Sequence, residues 1–224
     1  MSSYLEGQVH QLVNRLEAEG FTPEDITNFG QSKAILVGLR GVLRGTHEIK
    51  LVTKLEEEKP KPERIRVINE TTILVNLDAP PNLPFNGAKI DFQSGSGWIQ
   101  IEKRADGLYA DDRKVIMYLS EHQKGKKVLR GHELQEELSG KLVLHPNIMD
   151  ALCEYPHLIP EGWKVDEEGN TRYIFFWAVI FRHADGSLYV RCLCFLDGRW
   201  RRHCRWLDGG WLFQHPAALL ASQP

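Results

Sequence analysis

The chain has 224 residues, 42% of them hydrophobic and 26% charged, with a formal net charge of −2. This composition excludes a disordered polyelectrolyte, a collagen-like repeat and a disulfide-dense scaffold. It also excludes wholesale binding to nucleic acid or anionic membrane, so any such contact has to come from a local patch.

Residues 1–53 read as a helical region. Leu5, Val9, Leu12, Val13 and Leu16 recur at helical spacing, and Gly20 supplies a left-handed stop. Thr22-Pro23-Glu24-Asp25 places a hydroxyl before a proline at the first helical position, with acids in the first turn, and so starts a second helix. A third segment carries Leu36, Leu39, Val42 and Leu43. It also carries Gly38, Gly41 and Gly45, each of which weakens a helix by about 1 kcal/mol relative to alanine. Residues 54–64, KLEEEKPKPER, are nearly all charge and proline and are expected to form a linker or exposed loop.

From 65 to 224 the pattern predicts an α+β domain. Arg64 to Ile68, Thr72 to Leu77, Ala88 to Phe92 and Trp98 to Lys103 alternate or are rich in branched residues. Turn signals separate them at Ala79-Pro80-Pro81-Asn82, Asn86-Gly87 and Asp106-Gly107. Three short helices are expected next, over 112–122, 131–139 and 146–155, the last opened by Pro146 and closed before Pro156. The chain then reads as a three-stranded antiparallel meander: Tyr173 to Arg182, Leu188 to Leu196 and Arg199 to Leu207. Asp185-Gly186 and Asp197-Gly198 sit where two-residue hairpin turns need positive φ. The expected fold is therefore α+β, with a helical N-terminal region followed by short helices packed on an antiparallel β-meander.

The opening MSSYLEGQVHQLVNRLEAEG has no basic leader followed by an apolar stretch, which points to a cytoplasmic protein. The longest apolar run, Ile174 to Phe181, falls far short of the roughly 20 residues of a spanning helix, so no membrane is expected as a partner. Cys153, Cys192, Cys194 and Cys204 then read as reduced thiols.

Several chemistries find incomplete residue sets. Gly95-Ser96-Gly97 lacks the third glycine of a dinucleotide loop and reads as a loop tip. His132 and Glu136 share a helix face as in a zinc helix, yet the second histidine is missing. A metal-dependent nuclease would place Asp91 on one strand and Glu102 on the next, but Glu102-Lys103-Arg104 ends in an arginine, which does not deprotonate at neutral pH. The order of elements from 112 onward is that of a winged helix-turn-helix. Its third helix carries Asp150 and Glu154 and no cation, so phosphates would repel it.

The most unusual composition is RWRRHCRW, residues 199–206. With Asp197-Gly198 as a two-residue turn, one strand face shows Arg199, Arg201, His203 and Arg205 and the other Trp200, Arg202, Cys204 and Trp206. Arginines beside aromatics on a sheet can hold phosphates while bases stack, so Arg199, Trp200, Arg201, Arg202, His203, Arg205 and Trp206 are candidate contacts for RNA or single-stranded DNA. A tryptophan core face with a charged solvent face accounts for the same pattern structurally. The pairing also puts Cys192, Cys194 and His203 on one face, a candidate zinc site that lacks a fourth ligand.

The segments LHPNIMDALCEYPHLIPEGWK, YIFFWAVIFRHADGSLYVRCL, RWLDGGW and HPAALLAS, with GFTPEDITNFGQSK near the start, resemble a group of small bacterial proteins of unknown function. That resemblance implies a bacterial, cytosolic protein and assigns no residue a role. The sequence thus predicts a non-enzymatic binding or regulatory module without cofactor, contacting RNA, single-stranded DNA or an acidic protein. The alternatives are a metal-dependent hydrolase or nuclease, and a structural protein–protein interaction module.

Overall fold

The computed structural model describes residues 6–47, 62–124 and 127–222. The chain divides into two compact units, Met1–Pro60 and Lys61–Pro224.

The first unit contains α1 (Glu6–Ala18), α2 (Pro23–Gln31) and α3 (Lys33–Leu43). Gly20, at φ 88°, follows the end of α1 in the left-handed region that favours glycine. Thr22 caps α2 reciprocally: its Oγ1 accepts from the Asp25 amide at 3.2 Å, and the Asp25 carboxylate accepts from the Thr22 amide at 2.9 Å. Ser32 caps α3 in turn, accepting from the Ile35 amide at 3.3 Å. Gly38 and Gly41 lie within α3 without ending it, and Gly41 is where the His47 ring packs so closely that a Cβ would collide with it. Among the described residues of this unit only Gly41 is buried, while Leu12, Val37 and Leu43 are among the large apolar residues left exposed. Residues 54–61 of the expected linker, and Leu5, lie outside the described residues.

The second unit is α+β. Its strands are β1 (Ile65–Asn69), β2 (Thr72–Asn76), β3 (Lys89–Gln93), β4 (Trp98–Arg104), β5 (Gly107–Ala110), β6 (Arg113–Tyr118) and β7 (Leu129–Arg130). Two helices follow, α4 (Gly131–Leu138) and α5 (Pro146–Glu154). The chain then adds β8 (Ile174–Arg182), β9 (Leu188–Leu196), β10 (Arg199–Trp206), β11 (Gly210–Trp211) and β12 (Ala217–Leu220). Ten strands form one mixed sheet in the order β1-β2-β4-β5-β6-β12-β8-β9-β10, with β3 also paired to β8, while β7 and β11 pair apart from it. Among these pairings only β12 with β8 is parallel.

Three expectations are corrected here. Asp185-Gly186 does not form the expected two-residue turn: only Gly186 has positive φ, and the His183 amide donates to the Ser187 carbonyl at 2.8 Å across a three-residue loop. The stretch from 112 is not a helix. Asp111 and Asp112 both have positive φ (45° and 62°) and form a two-residue turn, with Ala110 opposite Arg113. Arg113 to Tyr118 is therefore β6, with Val115 buried and Ile116 exposed as a strand's alternation requires, and the winged-helix order dissolves. Nor does the domain end with the strand at 199–206. β12 returns between β6 and β8 and joins the two antiparallel halves into one sheet.

Helix α5 lies in the core of this unit. His145 caps it, accepting from the Asn147 amide at 3.1 Å, and Pro146 occupies the first turn. Every residue from Pro146 to Leu152 is buried. The helix packs against β2, β8, β9 and β10, so residues of both sheet halves, such as Ile73, Ile101, Phe176 and Leu193, share one apolar cluster with Ile148 and Leu152. A second cluster holds α4 through Leu134 and Leu138, with Phe175, Trp177 and Trp211. Gly131 opens α4 because its Cα faces the Leu207 carbonyl and the Trp211 indole, where a Cβ would stand 2.5 Å from Trp211 Nε1.

Candidate functional site

Among the described residues β10 pairs only with β9 and is an edge strand. Asp197 and Gly198 both have positive φ (51° and 75°) and form the two-residue turn that sets the register. Arg199 then faces Leu196, Trp200 faces Phe195, Arg201 faces Cys194, His203 faces Cys192, and the ladder runs to Trp206 opposite Tyr189. Arg199, Arg201, His203 and Arg205 stand on one face at intervals of about 6.8 Å, with Trp200, Arg202, Cys204 and Trp206 on the other.

The structure sorts these candidates by what their heads already touch. Arg201 pairs with Asp197 at 2.6 Å, although its Nε is buried with no partner among the described residues. Arg205 donates from Nε to the Gly210 carbonyl at 3.1 Å and lies over the Trp211 ring. Arg202 reaches Asp150 at 2.9 Å. Trp200 packs its edge against Phe195 with ring centres 5.2 Å apart, while Trp206 is 46% exposed. Arg199 and His203 are exposed and take no partner among the described residues.

Behind the strand lies a charge network that sequence reasoning missed. Asp150 accepts two parallel bonds from Arg191, Nη1 to Oδ2 at 2.8 Å and Nη2 to Oδ1 at 2.7 Å, and both side chains are nearly inaccessible. Arg202 adds Nε to Oδ1 and a bond from Nη2 to the Asp150 carbonyl at 3.2 Å, tying the edge strand to α5. The acid read as repelling phosphate is thus already neutralised from within. Nearby, burial pushes the His145 imidazole down to about 4, with the Arg191 charge acting in the same direction against Asp150 and Asp78. His145 Nε2 has no hydrogen-bond partner among the described residues. The signal in the sequence was an acid at the centre of an otherwise buried helix face, but naming Arg191 as its partner requires the tertiary pairing.

The metal readings find no assembled site. Cys192 and Cys194 are fully buried and His203 is exposed, and among the described residues no group of three or more His, Cys, Asp or Glu is placed to hold a metal ion. Burial raises the Cys192 thiol well above its usual range and the Cys194 thiol to about 11, opposing the thiolate form that binds zinc. Asp91 and Glu102 are not on neighbouring strands, since β3 pairs with β8 and β4 with β2 and β5. Asp91 accepts from Arg182 Nε at 2.7 Å, and Glu102 holds Arg104 at 2.6 Å. His132 pairs with Asp208 at 2.8 Å across from α4. Gly95 and Gly97, both at positive φ, belong to the loop between β3 and β4.

No helix among the described residues is long and apolar enough to cross a membrane. Comparison with known proteins finds no matching family model, no matching curated protein and no matching solved structure.

Proposed function

We propose that the protein is a non-enzymatic binding module that contacts single-stranded RNA or DNA along the edge strand β10. The observation that carries this reading is the register of β10. It lines Arg199, Arg201, His203 and Arg205 along one face of an edge strand, in a chain whose net charge is negative. On that face Arg199 and His203 offer donors without a partner among the described residues, and Arg201 retains exposure beside its surface ion pair; the exposed Trp206 stands on the opposite face of the same edge strand. Arg202 and Arg205 serve mainly to hold the strand to α5 and to the Gly210 turn. A cytoplasmic location and a helical N-terminal region ahead of a meander-bearing domain belong to the same reading. Charge reversal at Arg199 and Arg201 tests it. Arg199→Glu with Arg201→Glu should weaken binding to a labelled mixed-sequence RNA at least tenfold with the fold intact, and unchanged binding would refute the assignment.

The exposed apolar surface of α1 and α3 favours a second reading, self-association of the first unit. Lys33 and Arg40 lie on α3 and Arg44 follows its last residue, while Glu17, Glu19 and Glu24 lie on or next to α1 and α2, so a second copy could match acid to base around an apolar centre. The solution mass decides it: a monomer at all concentrations removes this reading, and a dimer dissociated by Leu12→Glu with Val37→Glu supports it.

A further inference from the structure

The path of the ten-stranded sheet begins at β1 and ends at β10, and each of these outer strands leaves one row of backbone groups unpaired among the described residues. In β1 the alternation is fixed by the Asn76 amide, which donates to the Arg64 carbonyl at 2.9 Å. Arg64 and Arg66 therefore turn their backbone groups towards β2. Ile65 and Val67 turn theirs outward, where they take no partner among the described residues.

The two outer strands differ in what their side chains allow beside them. β10 carries Arg199, Arg201, Arg202 and Arg205, so two copies laid edge to edge there would set cation against cation. Along β1 the one charge is Arg66, and Glu63 already holds it at 2.6 Å. Val67 and Ile68 are each more than half exposed beside the open row. Val67 shares a face with Ile65 and with the buried Ile73 and Val75 of β2, so a further strand would extend an apolar layer that the core has already begun.

We infer that β1 pairs antiparallel with β1 of a second copy, continuing the sheet across a two-fold axis. Charge selects the register. An axis through Arg66 would set Arg66 opposite itself, whereas an axis through Val67 sets Arg66 opposite Ile68 and brings Arg64 towards the exposed acid Glu70 of the other copy. The Val67 amide of each copy then donates to the Val67 carbonyl of the other. The ladder with β2 shifts register past Val67, so the seam is short and forms at high protein concentration. It uses neither β10 nor the helices of the first unit, and its failure would leave the nucleic-acid reading untouched.

Hydrogen exchange of the full-length ¹⁵N-labelled protein, read with sedimentation over the same concentrations, tests the pairing. The protein should dimerise, and where about nine-tenths of the chains are paired the Val67 amide should exchange about tenfold more slowly than in dilute solution, since only the open tenth exchanges. Val67→Pro removes the outward donor while leaving the bonds to β2 in place, and should return a folded monomer. Val67→Lys, at an exposed position, sets two cations together on the axis and should do the same. Leu12→Glu with Val37→Glu should leave the dimer intact. A monomer at every concentration would overturn the proposal, as would a dimer whose Val67 amide exchanges at the dilute rate, one that survives both Val67 variants, or one that Leu12→Glu with Val37→Glu dissociates. A Val67 amide already protected in the dilute monomer would overturn it too, and would assign the edge to another strand.

Discussion

Replacing Asp150 by alanine removes the acceptor that faces Arg191 in the core. Arg191 is 3% exposed and cannot shed its proton at any accessible pH, so the variant must bury an uncompensated guanidinium or open the helix–sheet contact to water. Breaking a buried pair from one side destabilises by about 3–5 kcal/mol, which for a domain of this size lowers the melting temperature by roughly 10–15 °C. Arg202 touches the same carboxylate from a position 40% exposed, so Arg202→Met should lose no more than about 1 kcal/mol. Removing both buried charges, Asp150→Leu with Arg191→Met, leaves neither ion stranded and should recover most of the loss. Urea unfolding monitored by tryptophan fluorescence gives the three values. A loss below about 1 kcal/mol for Asp150→Ala, or a double variant no more stable than that single one, would refute the view of this pair as a mutually dependent buried unit.

Three further outcomes follow from packing and protonation. Gly131→Ala drives a methyl group into the Leu207 carbonyl and the Trp211 indole, and should destabilise by about 1–3 kcal/mol in the same urea assay; a neutral result would contradict the close approach. Burial lowers His145 and His215 to about 4, the nearby Arg191 and Arg205 charges adding to it respectively. Between that value and the unfolded 6.5 the folded chain binds fewer protons, so stability should fall as pH drops from 6.5 towards 4, by roughly 3 kcal/mol per histidine. His145→Gln and His215→Gln should each flatten that slope, and an urea midpoint constant from pH 7 to 4.5 would contradict the assignment. Burial also raises all four thiols, Cys194 to about 11, so iodoacetamide at pH 8 should modify Cys192 and Cys194 only after unfolding. Rapid alkylation of these two in the native protein, read by mass spectrometry, would show the strand pair to be open.

Local chemistry explains which features could be read from the residues alone. Asp197-Gly198 specifies a turn in which both residues take positive φ, and that one turn sets every pair from Arg199–Leu196 to Trp206–Tyr189. Asp185-Gly186 does not make the same turn. Only Gly186 goes left-handed, and His183 bonds to Ser187 across a three-residue loop. Around 112 the local signal is ambiguous, because an aspartate before an apolar run serves equally as a helix cap or as half of a tight turn, and Asp111 decides for the turn. β12 carries only Ala217, Ala218, Leu219 and Leu220, too short for a periodic signal, yet it joins the two sheet halves. The Asp150–Arg191 pair, and the break in the β8–β9 ladder between Phe176 and Ile180, depend on residues far apart in the chain, which no local spacing encodes.

Titration of the purified protein into labelled mixed-sequence RNA and single-stranded DNA over a range of salt concentrations tests the β10 assignment most directly. Arg199 and Arg201 engaging phosphates predict a log affinity that falls with log salt at a slope of roughly −1.4, and loss of that slope for Arg199→Glu with Arg201→Glu. Affinity absent at low salt, or present but indifferent to salt and to the charge reversal, would contradict the assignment and leave the β10 arginines as a solvated face.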